Sequence, residues 1–268
     1  MSIDVQSVWT DIQTIKKSTP LIHNITNYVV METTANALLA VGASPIMAHA
    51  QAEVEEIIKI AHCLVLNIGT LSPPWIQAML SALKSANVKG IPVVLDPVGA
   101  GASSYRTETA HFLLNQGKIT AIRGNASEIA ALCGNTSSTK GVDSLLNTAD
   151  CQIQAKQLAS NNNCIVWMSG QTDVVTDGTA SILIHNGHPL MSKVTGMGCT
   201  ATAITGAFLA VNKNKLLACS HAAILMGVVG EIAAEQCSGP GSFKIAFLDA
   251  LYSLSFNEIE ARTRVNVS

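Results

Sequence analysis

The sequence predicts one α/β domain over residues 1–268, built as three layers: a mainly parallel central sheet, helices on both of its faces, and an antiparallel hairpin at one edge. Three observations predict this fold class. Short β-branched runs alternate with longer segments of helical spacing. The earlier runs are almost continuously apolar, which is typical of strands that are covered on both faces. Asp177-Gly178 separates the last two runs and is a strong hairpin signal.

The predicted strands are the β-branched runs, at residues 63–68, 91–95, 120–122, 164–168, 173–176 and 180–185. The predicted helices are the segments with the period of an amphipathic helix, at residues 21–40, 53–62, 74–86, 105–115, 198–211, 216–237 and 242–255. Because helices alone follow the hairpin, we expect no further strand near the end of the chain.

The composition excludes several classes of protein. Hydrophobic residues make up 48% of the chain and charged residues 13%, against about 25% charged in ordinary soluble domains, which excludes a disordered chain. The net charge is −2 and no basic run occurs, so we expect no nucleic-acid partner. So few charges indicate that helices are covered by other elements or by other subunits, which predicts an oligomer.

Two charge-free runs, residues 33–52 and 194–212, are long enough to raise the question of a membrane span. Gly42 and Pro45 interrupt the first run and threonines interrupt the second, so we interpret both as buried core helices and expect no membrane partner. No secretory signal is visible, and the seven cysteines include no C-x-x-C pair. We interpret the cysteines as reduced thiols and expect a cytoplasmic protein without a zinc site.

The most informative segment is VTGMGCTA, residues 194–201, which begins the helix predicted over 198–211. Its glycines leave backbone N–H groups uncovered, and a helix N-terminus carries a partial positive charge, so we expect an anion to bind there. Lys193 precedes the turn, and residues 178–230 contain no Asp or Glu. The alternative is a Gly-rich turn that only begins a buried helix.

Three common enzyme signatures do not fit this chain. The spacing from Gly196 to Ala201 matches a dinucleotide-binding loop, but no carboxylate follows until Glu231 and no strand is predicted to follow. No Walker A sequence occurs, and Ser169 lacks the preceding glycine of a nucleophile elbow. A hydride-transfer enzyme, a P-loop enzyme and a serine hydrolase are therefore disfavoured.

Polar side chains follow three predicted strands, at the edge where parallel α/β sheets bind ligands. Asp96, Arg123 and Ser169 each end an apolar run. A guanidinium is suited to bidentate contact with phosphate, and Asp96 with Glu128 offers hard oxygen ligands for hydrated Mg²⁺. The alternatives are a turn-forming Asp before a proline and a helix-capping box of Asn125 and Glu128. Together these groups predict phosphoryl transfer.

The segment LIHNITNYVV, residues 21–30, contributes His23 and Asn24 as candidate substrate contacts. The alternatives are a helix cap and a buried, hydrogen-bonded histidine. Met47 is ordinary core by default, although a polarisable side chain at a sheet edge can pack on a small heteroaromatic ring.

Five segments in this order resemble the hydroxyethylthiazole kinase family, at residues 20–48, 95–102 (LDPVGAGA), 123–128 (RGNASE), 194–199 (VTGMGC) and 239–243 (GPGSF). The resemblance covers nearly the whole chain. It implies a ribokinase-like α/β fold and transfer of the ATP γ-phosphoryl group, with Mg²⁺, to the alcohol of 4-methyl-5-(2-hydroxyethyl)thiazole, a salvage step in thiamine synthesis. It also implies a homotrimer with active sites between subunits.

By position, the resemblance implies a role for each matching residue. Met47 and Gly196 contact the thiazole, Arg123 and Ser169 contact ATP, and Asp96 and Glu128 order Mg²⁺ and the phosphates. Met197 replaces a Thr that the family often has between the two glycines, which removes a side-chain contact but leaves the backbone amides available.

Cys199 is the candidate catalytic residue, with the substrate hydroxyl beside it and the γ-phosphoryl group at the amides of residues 196–199. A helix N-terminus lowers a thiol pKa, so we expect Cys199 to be at most a modest base and Cys199→Asp to keep or raise turnover. The alternative role for Cys199 is a small residue that fills a tight helix start. Two other functions stay open: a ribokinase-like kinase for another small alcohol, such as a pyrimidine or sugar, and a non-catalytic thiazole-binding protein.

Overall fold

The computed structural model describes residues 3–134 and 148–267. Its strands are β1 Leu21–Ile25, β2 Ser44–Ile46, β3 Cys63–Asn67, β4 Val93–Asp96, β5 Ala121–Asn125, β6 Ile165–Ser169, β7 Asp173–Thr176, β8 Ser181–Ile184 and β9 Val265–Val267. Its helices are α1 Val5–Ser18, α2 Met31–Val41, α3 Val54–Ile60, α4 Pro73–Lys89, α5 Ser104–Gln116, α6 Ala126–Leu132, α7 Thr148–Asn162, α8 Met197–Val211, α9 Lys215–Glu235, α10 Pro240–Ser253 and α11 Phe256–Arg262.

The strands form one sheet in the order β2-β1-β3-β4-β5-β6-β7-β8-β9. Pairing is parallel from β2 to β6 and antiparallel from β6 to β9. The β7–β8 hairpin turns at Asp177-Gly178, where Gly178 has a φ of +96° that few other residues adopt. The predicted mainly parallel sheet with an antiparallel edge is confirmed.

Helices cover both faces of the sheet, as the apolar strands require. Helices α1, α2, α8, α9 and α10 bury one face in a core that includes Val65 and Phe208. Helices α3 to α7 bury the other face in a core that includes Leu64 and Leu66. Successive β3 residues thus enter opposite cores, because side chains alternate along a strand.

The run Lys215–Gln236 is long and apolar enough to cross a membrane, with a mean hydropathy of 1.8, but 89% of its most apolar window is buried inside the protein. Helix α9 packs on α8, α10, β6 and β7. The core of the fold therefore accounts for its apolar character. The run 194–212 likewise contains α8, a largely buried helix, as expected.

The helix predicted from residue 21 is wrong over its first part. Residues Leu21–Ile25 form β1, which lies between β2 and β3, and α2 begins only at Met31. A short apolar run that is buried on both faces shows neither a helical nor an alternating period, so local sequence does not separate it from a helix. Strand β2 was also not predicted; it contains Pro45, which an edge strand tolerates because one side needs no hydrogen-bond donor.

The expectation that no strand follows the hairpin is also wrong. After α8, α9 and α10, which match the predicted helices, β9 pairs antiparallel with β8. Two of its three residues are exposed, so it lacks the apolar run that marks a strand. Its position depends on distant contacts, among them the ion pair of Arg264 Nη2 with Glu231 Oε1 at 2.6 Å.

Candidate active site

The carboxyl ends of β3, β4, β5 and β6 meet at one edge of the sheet. In register, Asn67 lies opposite Asp96, and Asn125 lies opposite Ser169. Polar residues that follow separate apolar runs in the sequence are therefore neighbours in space, as expected from the strand-end rule.

Helix α8 begins at this edge. Gly196 precedes it with a φ of +94°, a conformation that favours glycine, and a Cβ there would lie 2.9 Å from Val30 Cγ1. No side chain of the described residues caps α8, so its first backbone N–H groups are available. The geometry agrees with the predicted anion site, which itself stays a prediction.

Arg123 and Ser169 are brought together. Arg123 Nη2 donates to Ser169 Oγ at 2.7 Å, and the guanidinium lies over the Trp167 ring, 5.5 Å from its centroid. A Cβ added to Gly198 would lie 2.5 Å from Arg123 Nη1, so the guanidinium sits against the first turn of α8. Arg123 Nε is buried and has no hydrogen-bond partner in the described parts of the chain. The Arg123 guanidinium is thus held beside the uncapped start of α8, where it can donate hydrogen bonds to an anion.

Asp96 is almost fully buried, with 1% of its surface exposed. Its Oδ2 accepts hydrogen bonds from Asn67 Nδ2 at 2.8 Å and from Thr202 Oγ1 at 2.7 Å. Burial raises the pKa of Asp96 to about 7; Arg123 and the two hydrogen bonds oppose the rise, and Glu128 adds to it. The carboxyl group is therefore held in one orientation and titrates near neutral pH.

Glu128 forms the capping box that the sequence left as an alternative. Its backbone N–H donates to Asn125 Oδ1 at 2.9 Å, and its Oε2 accepts from Asn125 N at 2.8 Å. Its Oε1 also accepts from Gly99 N at 2.8 Å, which fixes the loop after Asp96. The capping role is thus confirmed, and it places a second carboxylate near Asp96.

Cys199 is half-buried in the first turn of α8, and Asn27 Nδ2 donates to its Sγ at 3.5 Å. The expectation of a lowered thiol pKa is wrong. Burial raises the pKa of Cys199 to about 12, and the nearby Asp96 charge adds to the rise. Desolvation of the thiolate raises the thiol pKa by more than the positive end of the helix lowers it, so the thiol keeps its proton at neutral pH.

The structure keeps His23 and Asn24 inside β1, both fully buried. His23 Nε2 lies 2.8 Å from the Ala48 carbonyl oxygen, and burial lowers the pKa of this histidine. Asn24 Nδ2 donates to the Ile22 carbonyl at 2.9 Å, while its Oδ1 has no partner among the described residues. Met47 follows β2 and is half-buried. Their proposed substrate contacts stay predictions.

Sequence reasoning missed three residues of this site: Asn27, Asn67 and Thr202. Asn67 carried a usable signal, because it follows the apolar run of β3 as Asp96 follows that of β4. Thr202 lies inside an apolar helix and Asn27 in a loop, and nothing local marks either one. Their roles depend on the packing of α8 against the strand ends.

Two surface cavities lie away from this edge. One, of about 370 Å³, is lined by Gly187, His188, Glu231, Ala234, Glu235, Arg262 and Arg264. The other, of about 340 Å³, is lined by Asn87, Gly90, Ile91, Pro92, Lys118, Thr120, Leu209, Asn212, Lys213 and Lys215. Neither contains a residue of the candidate site.

Solved structures with this architecture define the class. The pyridoxal kinase from Staphylococcus aureus in complex with ADP has a TM-score of 0.62 at 15% identity, covering 79% of this chain and 87% of that chain. A ribokinase-like superfamily protein from Enterococcus faecalis has a TM-score of 0.65 at 14% identity, covering 91% of this chain and 89% of that chain. The protein has the ribokinase-like fold.

Closer relatives narrow the class to one family. Residues 12–257 match the hydroxyethylthiazole kinase family. The hydroxyethylthiazole kinase of Oleidesulfovibrio alaskensis is 51% identical, and the match covers 96% of this chain and 97% of that protein. The hydroxyethylthiazole kinase of Syntrophus aciditrophicus is 52% identical, and the match covers 99% of this chain and 98% of that protein. The structure of the hydroxyethylthiazole kinase protein from Pyrococcus horikoshii has a TM-score of 0.91 at 40% identity, covering 98% of this chain and 99% of that chain. This chain belongs to the hydroxyethylthiazole kinase family and is an enzyme, a kinase, which confirms the resemblance.

Proposed function

We propose that this protein transfers the γ-phosphoryl group of ATP to the hydroxyl of 4-methyl-5-(2-hydroxyethyl)thiazole, a salvage step in thiamine synthesis. One observation carries the proposal: Arg123 lies against the uncapped first turn of α8, at Gly198, in a chain of this kinase family. Phosphoryl transfer needs little covalent chemistry from the protein. It depends on positioning and on stabilising charge, which this arrangement supplies.

Arg123 and Ser169 hold the ATP phosphates in this proposal. The guanidinium of Arg123 suits contact with phosphate oxygens through its Nη groups, while its Nε is buried. Trp167 and Ser169 support the guanidinium, so little side-chain freedom is lost on binding. The amides of residues 196–199 receive the γ-phosphoryl group as its charge spreads over the oxygens.

Asp96 and Glu128 fit a hydrated Mg²⁺ ion. Among the described residues, the Asp96 carboxylate accepts hydrogen bonds only at Oδ2, and each Glu128 carboxylate oxygen accepts one backbone N–H. Each carboxylate therefore keeps lone pairs for a water or a metal ion. Mg²⁺ would neutralise phosphate charge there. The Glu128 side chain also keeps the loop at Gly99 in place.

The thiazole lies on the Cys199 side of the turn, against Met47, Gly196 and Asn24. With a pKa of about 12, the Cys199 thiol keeps its proton and does not act as the base. In a loose transition state the acceptor proton leaves late, to an oxygen of the transferred phosphoryl group, so alignment of the hydroxyl with the γ-phosphoryl group contributes most of the rate.

We propose a homotrimer whose active sites lie between subunits. Tyr28 and Val29 are 66% and 65% exposed, directly after Asn27, which touches Cys199. Exposed apolar side chains at the rim of a site favour cover by another chain. The low charge of the protein supports the same assembly.

Residues 1–268 form one domain in this proposal, supported by the single sheet of the described residues. The protein acts in the cytoplasm in this proposal, which the cysteines favour: the six whose side chains the structure describes are free thiols.

A coupled ADP assay with the thiazole alcohol, with and without Mg²⁺, tests the function. We expect ADP release that depends on both. Thiazole binding by calorimetry without ADP release, in folded protein, would replace the kinase with the binding role. A panel of other alcohols, including a pyrimidine and a sugar, tests the remaining alternative, and a higher kcat/KM on one of them would favour it.

A further inference from the structure

Thr202 lies one turn into α8, fully buried, and faces the end of β4. Its hydroxyl is 2.7 Å from Asp96 Oδ2 and 3.2 Å from the Gly198 carbonyl oxygen. A hydroxyl has one proton to donate. The shorter distance and the charge-assisted acceptor favour the bond to Asp96 over the ordinary bond within the helix.

Asn67 holds the same oxygen from the other side. Its Nδ2 donates to Asp96 Oδ2 at 2.8 Å, while its Oδ1 accepts from Asn27 Nδ2 at 2.8 Å. Asn27 Nδ2 also contacts Cys199 Sγ. One hydrogen-bonded chain therefore runs from Cys199, on the acceptor side, through the two asparagines to Asp96 on the phosphate side.

We propose that Thr202 is a positioning residue for phosphoryl transfer, which ties Asp96 to the helix that carries the anion site. Both donors occupy Oδ2, so Oδ1 is the oxygen that turns toward ligand. The helix start and the carboxylate belong to different elements, α8 and β4, and the Thr202 hydroxyl donates a hydrogen bond directly from one element to the other. This inference rests on the proposed kinase function.

The chain offers a matched control in Thr205. It lies in the same helix, is equally buried, and donates only to the Ala201 carbonyl, at 2.8 Å. Thr202→Val and Thr205→Val make the same change, a buried hydroxyl replaced by a methyl group, and Thr205→Val breaks a hydrogen bond within the helix. Only Thr202→Val breaks a bond to Asp96.

The experiment compares kcat, KM for the thiazole alcohol and KM for ATP across Thr202→Val, Thr205→Val and Thr202→Ser, with thermal unfolding as the folding control. We expect Thr202→Val to lower kcat by about 10- to 100-fold, as for a lost bond to a charged group, with KM for the thiazole within about threefold. Thr205→Val keeps kcat within about threefold, and Thr202→Ser restores most of the loss. Calorimetry should show that Mg²⁺ raises the affinity for ADP less in Thr202→Val than in the wild-type protein.

Equal kcat in Thr202→Val and Thr205→Val would overturn the proposal, as would a Thr202→Ser variant no better than the valine. If Thr202→Val does not fold, Thr202→Ala takes its place under the same criteria. An inactive wild-type protein would contradict the proposed function instead, so the two failures are distinguishable.

Discussion

Gly198→Ala isolates the contact between Arg123 and the start of α8. An added Cβ would lie 2.5 Å from Arg123 Nη1, against about 3.4 Å for ordinary contact, so the guanidinium must retreat by about 1 Å. That displacement weakens the 2.7 Å bond to Ser169 and moves the cation away from the phosphate position. Loss of charge-assisted hydrogen bonds costs about 1.5–3 kcal/mol, which corresponds to about 10- to 150-fold in kcat/KM for ATP.

The free energy of unfolding of Gly198→Ala should not fall together with its kcat/KM for ATP. The atom in the way is the far end of a flexible side chain, and alanine in a helix is favoured over glycine by about 0.5–1 kcal/mol. Gly241→Ala is the matched control, because Gly241 is likewise the second residue of its helix, α10, and an added Cβ there meets nothing within 4 Å. The coupled ADP assay at varied ATP, with thermal unfolding alongside, measures both effects. A kcat/KM for ATP in Gly198→Ala within twofold of that in Gly241→Ala would contradict this prediction.

Three further predictions concern the same edge of the sheet. Cys199→Asp should keep or raise turnover, because a thiol that stays protonated is not the base; a fall in kcat beyond about a thousandfold, about 4 kcal/mol, in folded protein would contradict this. Asp96→Asn should abolish most activity yet raise the free energy of unfolding at pH 8. The pKa of Asp96 is raised from 3.8 to about 7, so the folded state binds the extra proton and wild-type stability falls as the pH rises through this range; urea unfolding between pH 4 and 8 should show a flatter profile in the variant. Arg123→Lys should raise KM for ATP at least about tenfold, because a lysine reproduces neither the bidentate guanidinium contact nor the bond to Ser169. Steady-state kinetics measure this change, with Ser169→Ala as the milder comparison variant.

Three of the predicted site residues came from one rule, that ligands bind beyond the carboxyl ends of parallel strands. Asp96, Arg123 and Ser169 satisfied it because a polar residue ends each apolar run. The structure places Asp96 and Ser169 at the ends of β4 and β6, and Arg123 two residues before the end of β5, which lies between them. Asn67 satisfies the same rule and could have been found. Thr202 could not, because an apolar helix with several threonines gives no sign of which hydroxyl faces a carboxylate.

The errors in the fold have a related cause. Strand β1 has no period of its own, and its identity depends on pairing with the neighbours β2 and β3 and on the helices that cover both of its faces. Strand β9 is short and largely exposed. It forms by pairing with the edge of β8, which lies about 80 residues earlier in the chain, with Ile182 opposite Val267. Segments whose structure depends on distant partners leave little trace in local composition.

By itself the sequence determined the layered α/β class, the hairpin edge, the glycine-opened helix and the polar strand ends, because each depends on residue period or on chemistry between near neighbours in the chain. Only the tertiary structure decided which of these groups touch. In the tertiary structure Asn27 contacts Cys199, which is 172 positions away in the sequence, and Thr202 contacts Asp96, which is 106 positions away. The tertiary structure also reversed the expected pKa of Cys199, because the desolvation of a thiol depends on everything packed around it and not on the helix that carries it.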